Sequence, residues 1–562
     1  MATSSANEYY GHSKQTSCVR FVRGPASSLS TERFRRRNLS RVLERTLDRV
    51  NVLGGDSDAA YGHTGCVNAL SWARDGELLL SGGDDTTVRV WRIDPTNTSQ
   101  EYPFVCRSVV QTGHRANIFS AQMLPCSSRI ATVAGDKQVR VFDVGEAHSA
   151  GSDGQEVVYS TRQSCTHILR CHEQRVKRII TEHSPDLFLS VAEDGTVRQH
   201  DLRAPHDCRS GGACPVPLVK VNHELSTMSL SPLTPYQFVV AGESPYGYLF
   251  DRRQAGRILQ EEWGMVPRAG ELELTTCVRR FGRLKGVAHK RGEHITGARM
   301  SAHNGHEVIL SYSGDAVYLY STADDPGVED SLLSSPSSVR TQNSKRKKLD
   351  ESGAIKFVPM HEENDMDVDE QPAPGMTDQM ILNADDDQGH DSEDDHDTAS
   401  EGYPEFVGSS DVDEESFLPH VPVILPRRRF VGARNVATIK DVNFLGPDDE
   451  CVTSGSDDGN FFIWDKATAA LREIYEGDSS VVNVVEGHPH LPLVAVSGID
   501  STVKLFAPTH GSSQFSRMDN AERIIETNRR SSITRILRYN IGTLLADARL
   551  ANEVDVPQCR NQ

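Results

Sequence analysis

Long apolar runs are missing from this 562-residue chain, and with them any stretch able to cross a bilayer as a helix. Its first residues, MATSSANEYY, lack the charged and apolar regions of a secretory signal. The eleven cysteines are scattered, with no Cys-x-x-Cys pair and none of the spacings of a zinc site. Cys165 and Cys171, six residues apart, read as coincidence. No metal and no cofactor are expected, and the cysteine usage fits a soluble protein of a reducing compartment. No Ser-His-Asp order and no phosphate loop stands out, so an enzyme is the weakest class. From His361 to His420 there is no Lys or Arg while Asp and Glu are dense. This one segment accounts for essentially the whole formal charge of −19 and leaves the remainder near neutral. A nucleic-acid-binding domain would be basic, so no direct nucleic-acid contact is expected.

What the chain does have is repetition. Cys171 to Arg203, CHEQRVKRIITEHSPDLFLSVAEDGTVRQHDLR, alternates apolar and polar residues in three short runs broken by Ser184-Pro185-Asp186 and Glu193-Asp194-Gly195. That is the pattern of three strands joined by tight turns. The same order of parts recurs from His63 to Asp94, from His114 to Asp143, and from Arg434 to Asp465. In each copy an Asp stands six residues before a terminal aromatic or His: Asp85 before Trp91, Asp136 before Phe142, Asp194 before His200, Asp458 before Trp464. Four residues before that Asp comes Ser81, Thr132, Ser190 or Ser454. Weaker copies end at Phe250-Asp251, at Tyr320, and at Phe506, the last with Asp500 six residues ahead.

These units resemble WD repeats, the blades of a β-propeller. The expected fold is all-β: a seven-bladed WD-repeat β-propeller in which the segment before His63 closes the ring on the blade ending near Phe506. Closure removes the exposed edges that would otherwise aggregate. His63, His114 and His172, with Ser81, Ser190, Ser454, Asp85, Asp136, Asp194, Asp458, Asp500, Trp91 and Trp464, are expected to form structural hydrogen-bonded networks within blades and to bind neither metal nor substrate.

The segments around the ring differ in character. Residues 1–30 are Ser-rich and expected to be disordered. Residues 31–50, TERFRRRNLSRVLERTLDRV, read as a basic amphipathic helix. A helix packed on a propeller face, a membrane-surface helix and a nucleic-acid arm are alternatives; a partner-docking helix is favoured, because of two blade endings. His200-Asp201-Leu202-Arg203 and Phe250-Asp251-Arg252-Arg253 each place an Arg two residues past the closing Asp, on consecutive blades. An Arg there would project from the rim, where its planar fork can meet a partner's carboxylate or carbonyl. A solvated rim charge is the plainer explanation of either alone.

Two such endings after an N-terminal helix resemble the WD-repeat substrate receptors of the cullin-4 RING ubiquitin ligases. The order of blades, the acidic insertion, SGSDDGNFFIWD and VVNVVEGHPHLPLVAVSGIDSTVKLF are similar to the branch that includes the WD and tetratricopeptide repeat protein. The resemblance spans roughly residues 63 to 508 with gaps. His200 and Phe250 depart from it, standing where the motif has Trp. It implies a non-catalytic subunit that binds the ligase's triple-propeller adaptor, and through it cullin-4, while recruiting an unknown protein substrate. It also implies an adaptor contact made by Asp201, Arg203, Asp251 and Arg253 together with Arg36, Leu39, Leu43 and Leu47. The other class is a non-ligase scaffold of chromatin or signalling proteins.

The expected domain limits are 58–322 for blades 1–5, 323–426 for a disordered acidic insertion, 427–508 for blades 6–7 and 509–562 for a helical tail. Inside the insertion, Lys345-Arg346-Lys347-Lys348 is either a nuclear import address or local charge balance. The acidic run either attracts histones or other basic proteins or keeps the loop solvated. No membrane contact is expected, and nucleus and cytoplasm are the expected locations. In the tail, Ile524, Ile525, Ile533, Ile536, Leu537, Leu544 and Leu545 have helical spacing, which predicts a cap on the propeller, with an oligomerisation helix as the alternative.

Overall fold

The computed structural model describes residues 29–55, 62–145, 156–204, 208, 214–255, 275–283, 294–326, 418 and 421–531. Among the described residues seven sheets make up the ring, each with four antiparallel strands at its heart, and the first strand of each sheet lies against the first strand of the next, from Val67–Ala73 round to Val482–Gly487 and back. The expected seven-bladed propeller is what the chain forms. In blades 1 to 6 the fourth strand follows the three strands it covers, and in blade 7 it comes from chain ahead of blade 1. Blade 1 is covered by Phe104–Gln111, blade 2 by Cys165–Leu169, and blade 6 by Leu471–Glu476. Buried clusters fill the spaces between neighbouring sheets; one joins Leu80, Val88 and Val90 of blade 1 to Ile118, Ile130 and Phe142 of blade 2. That interdigitation is the reason a single blade could not stand alone.

The N-terminal segment departs from expectation. The helix runs Leu29–Leu43, and Leu47–Leu53 is a strand, paired antiparallel with Val503–Pro508 as the outer strand of blade 7. Leu47, Val50 and Leu53 fit helical spacing, whereas the strand they form carries a bulge between Arg49 and Asn51 that sends Leu47 to the core between blades 6 and 7 and Val50 and Leu53 to the core between blades 7 and 1. The open edge of blade 7 decides for the strand, because an unpaired ladder and an exposed apolar face cost more than local propensity. Leu47 and Leu53 are 2% exposed, and burying each contributes about 1.5–3 kcal/mol. The propeller therefore begins at residue 47, not 58.

The insertion is shorter than 323–426 at its far end. Val423–Ile424 adds a parallel fifth strand to blade 4, beside Thr275–Phe281, with Ile424 fully buried. Arg428–Phe430 is then the outer strand of blade 5. The insertion thus lies within blade 5, not between blades 5 and 6, because the strand that completes that blade follows it. Blade 1 carries a parallel fifth strand too, Val157–Tyr159. Residues 327–417 lie outside the described residues, as do 1–28.

In the tail, residues 521–531 are helical and pack through Ala521, Ile524 and Ile525 on the blade 6 core beside Phe462 and Trp464. This stretch caps the side of blade 6. Ile533, Ile536, Leu537, Leu544 and Leu545 lie outside the described residues.

Candidate interaction face and blade networks

Because neighbouring strands are antiparallel, turns joining first to second and third to fourth strands open on one face of the ring. Turns joining second to third strands, and the connections between blades, open on the other. The candidate residues of the blades and of the N-terminal helix sort onto these two faces.

The second face carries the histidines. His63 Nδ1 lies 3.0 Å from Asp85 Oδ2, its Nε2 lies 2.7 Å from Ser81 Oγ, and Trp91 Nε1 donates to the same Oγ at 2.8 Å. Asp85 also accepts the backbone N–H groups of Thr64 and Thr87, so one carboxylate ties the incoming connection to the turn. Burial alone would raise its pKa, but the His63 ring and the Thr87 bonds hold it down to about 2. Blade 2 repeats the plan: His114 bridges Asp136 and Thr132 at 3.0 and 2.9 Å. In blade 3, His172 bridges Asp194 and Ser190 at 3.0 and 2.7 Å, and His200 takes the Trp position with Nε2 2.7 Å from Ser190 Oγ. The residue after the aspartate is left-handed in all three, with φ 58° at Thr86, 67° at Lys137 and 73° at Gly195. A Cβ on Gly195 would come 2.5 Å from the Val221 carbonyl oxygen, which leaves only glycine there.

Blades 6 and 7 depart from this plan. The position 22 residues before the aspartate, His in blades 1–3, is Val436 in blade 6 and Asp478 in blade 7. With no imidazole to bridge them, Ser454, Asp458 and Trp464 are not linked. Ser454 Oγ donates to backbone, Trp464 Nε1 donates to the Val431 carbonyl, and Asp458 Oδ2 accepts from Asn528 of the C-terminal helix at 2.8 Å. The fully buried ionic tie in this blade is Lys440 to Asp457 at 2.6 Å, both side chains 0% exposed, with Arg434 3.6 Å from the same carboxylate. Asp457 also accepts the Val436 and Ala437 N–H groups at 2.7 Å. Burial pushes the Lys440 ammonium's pKa down, opposed by Asp457. In blade 7, Lys504 sits between Asp500 and Asp478, so the partner of Asp500 is an ammonium instead of an imidazole. Sequence reasoning missed Lys440, Asp457, Asp478 and Lys504; the missing His in two otherwise regular repeats was the signal that could have found them.

The first face carries the two arginines and the seat of the N-terminal helix. Arg203 and Arg253 do not project free. The Nε and Nη2 edge of each is taken bidentately by Asp201 or Asp251 of its own blade, at 2.6–3.0 Å. The Arg203 fork holds the Asp201 carboxyl down at about 2. Arg253 additionally stacks over Tyr236, 3.7 Å from the ring centroid. Both side chains stay largely in solvent, 62% and 61% exposed. The carboxylate consumes one edge of each fork and fixes the plane of the guanidinium in the same pose on consecutive blades.

The helix Leu29–Leu43 rests on the turn between the first two strands of blade 6. Arg36 donates to the Pro447 carbonyl at 2.7 Å and pairs with Asp448, and Ser40 bonds Glu450. Leu43 packs on the core between blades 6 and 7, and Leu39 is half-buried. Arg36, Leu43 and Leu47, expected to meet a partner, therefore bond or pack within the chain itself, Leu47 as a core residue of the closing strand. Arg35, Arg37 and Arg41 remain exposed. Lys345, Arg346, Lys347 and Lys348 lie outside the described residues.

One further cluster went unforeseen. Cys171, Cys208 and Cys214 bring their sulfurs within 4.8 Å of one another, against the expectation that the cysteines are unrelated. The spacing hides it, since Cys171 precedes the first strand of blade 3, Val176–Thr181, and the other two follow its third, Thr196–Asp201.

The fold and the blade networks define the class: a WD-repeat β-propeller. The family model described as "WD domain, G-beta repeat" matches residues 58–92, 106–143 and 428–465. The chain is similar to WD repeat protein iqw1 of Schizosaccharomyces pombe, 26% identical over 83% of this chain and 89% of that protein. It is similar to WD and tetratricopeptide repeats protein 1 of Homo sapiens, 26% identical over 80% of this chain and 84% of that protein. DDB1- and CUL4-associated factor 6 of Homo sapiens is 30% identical over 48% of this chain and 28% of its own length.

Proposed function

We propose that the protein is a non-catalytic substrate receptor that joins target proteins to a cullin-4 RING ubiquitin ligase through the triple-propeller adaptor. The observation that carries this reading is the repetition, on consecutive blades and on one face, of an exposed guanidinium locked by the Asp two residues before it. Locking removes rotamer freedom before binding, so docking loses less entropy than it would with two mobile arginines. The helix seat at residues 447–450 opens on the same face, which supports a single adaptor footprint of Arg203, Arg253, Leu39 and the outward arginines of the helix. Likeness to a protein named for association with DDB1 and CUL4 supports it further. The opposite face is left for the substrate, nucleus and cytoplasm are the proposed locations, and the acidic insertion is proposed to attract basic proteins such as histones.

Affinity purification of tagged full-length protein tests the reading. Adaptor and cullin-4 should co-purify, and Arg203→Ala with Arg253→Ala should remove them while leaving the propeller folded. Deleting one charge-assisted hydrogen bond to a partner weakens binding by about tenfold to a hundredfold, so either single change reduces the capture and the double change reduces it most. Undiminished capture of both subunits by the double variant would refute the assigned contact. Recovery of basic chromatin proteins without adaptor would instead favour a non-ligase scaffold.

A further inference from the structure

The geometry points to a thiolate metal site formed by Cys171, Cys208 and Cys214, suited to a soft d10 cation, zinc(II) or copper(I). Three observations converge. All three sulfurs lie within 4.8 Å of one another, and Cys171 Sγ and Cys208 Sγ are 3.5 Å apart. Sulfurs sharing one zinc at about 2.3 Å stand roughly 3.8 Å apart in a tetrahedral shell, so the thiols converge to nearly that spacing without backbone rearrangement. The place in the fold also calls for a tie. Blade 3 has the shortest outer strand of the seven, Val219–Lys220, only two residues long. That outer strand pairs only Val219 and Lys220 with Val197 and Thr196, and Cys208 and Cys214 lie between it and the third strand in sequence.

The surroundings suit a thiophilic ion over a hard one. Cys171 is buried, Cys208 and Cys214 are half-buried, and the two latter pack on the core between blades 2 and 3 beside Leu202. Sulfur ligands in an apolar setting select zinc or copper(I) and disfavour magnesium or calcium, which need oxygen. Three thiolates give copper(I) a complete trigonal shell and leave zinc a fourth position for water or an added ligand. A bound ion would pin the chain leaving Arg203 to the connection that leads into blade 3, next to His172.

Full-length protein purified in reductant and without chelator should carry zinc or copper by elemental mass spectrometry, and the element found tells the two apart. Cys208→Ser with Cys214→Ser should bring the metal to background while the circular dichroism of the propeller is retained. Cys171→Ser is avoided as the first variant because of its burial. As a second measurement, added zinc should protect Cys171, Cys208 and Cys214 from alkylation, read by peptide mass spectrometry, and leave Cys126 reactive. The site is refuted if the wild-type chain neither carries nor takes up metal and the three thiols alkylate equally with and without zinc. A disulfide between Cys171 and Cys208 in protein kept under reductant would refute it as well.

Discussion

Blades 1 to 3 and blades 6 and 7 share a register but not a chemistry. In the first group an imidazole joins a carboxylate to a hydroxyl; in the second an ammonium neutralises the carboxylate directly. The strand pairing is the same in both: Leu79 faces Trp91 in blade 1, and Val452 faces Trp464 in blade 6. Backbone geometry therefore does not depend on which polar set holds the turn. The requirement is that the aspartate beside the turn be satisfied, and an imidazole relay or a buried ammonium can each do so.

The two solutions should fail by different amounts. Asp457→Ala strands the Lys440 ammonium where no water reaches it, and the expected destabilisation is about 3–5 kcal/mol, measured by denaturant unfolding. Replacing Lys440 by Met and Asp457 by Leu together should recover the part due to the stranded charge but not the part due to the Val436 and Ala437 N–H groups, which lose their acceptor. His63→Ala leaves Ser81 and Asp85 without their bridge, but the Asp85 carboxylate keeps the Thr64 and Thr87 donors, so about 1–3 kcal/mol is expected. Equal destabilisation by His63→Ala and Asp457→Ala would remove the distinction. Trp91→Phe deletes only the Nε1 donor to Ser81 and should cost about 1 kcal/mol; blade 2 already has Phe142 at that position.

The imidazole arrangement also makes stability depend on pH. Asp85 is held at about 2 against an ordinary 3.8. Its contribution is therefore complete above the unfolded value and is lost as pH falls from about 4 towards about 2. Unfolding midpoints across that window should fall less steeply for Asp85→Asn than for wild type. Equal slopes would mean that the His63 contact does not distinguish the two protonation states.

The blade pattern could be read along the sequence because its parts are local. His63, Ser81, Asp85 and Trp91 sit within one repeat, so their spacing records the turn that joins them. The closing strand could not be read the same way. Leu47, Val50 and Leu53 follow helical spacing, and only the distant edge at Val503–Pro508 overrides it, with a bulge between Arg49 and Asn51. Arg203 and Arg253 were legible as a repeated position, but not their pairing with Asp201 and Asp251, which depends on the side-chain pose. The cysteine cluster was invisible for a third reason: its members meet across the side of a blade, where sequence distance carries no information.

The pairing of Leu47–Leu53 with Val503–Pro508 also sets a timetable for synthesis. Among the described residues, the strand made first waits at the ribosome, through every other blade, for the strand made last. Until residue 508 has emerged, the Leu29–Leu43 helix has no finished junction of blades 6 and 7 on which to seat Leu43. Premature termination anywhere upstream thus yields an open arc with two sticky ends, and only a chain translated through the last blade displays the helix in its resting place.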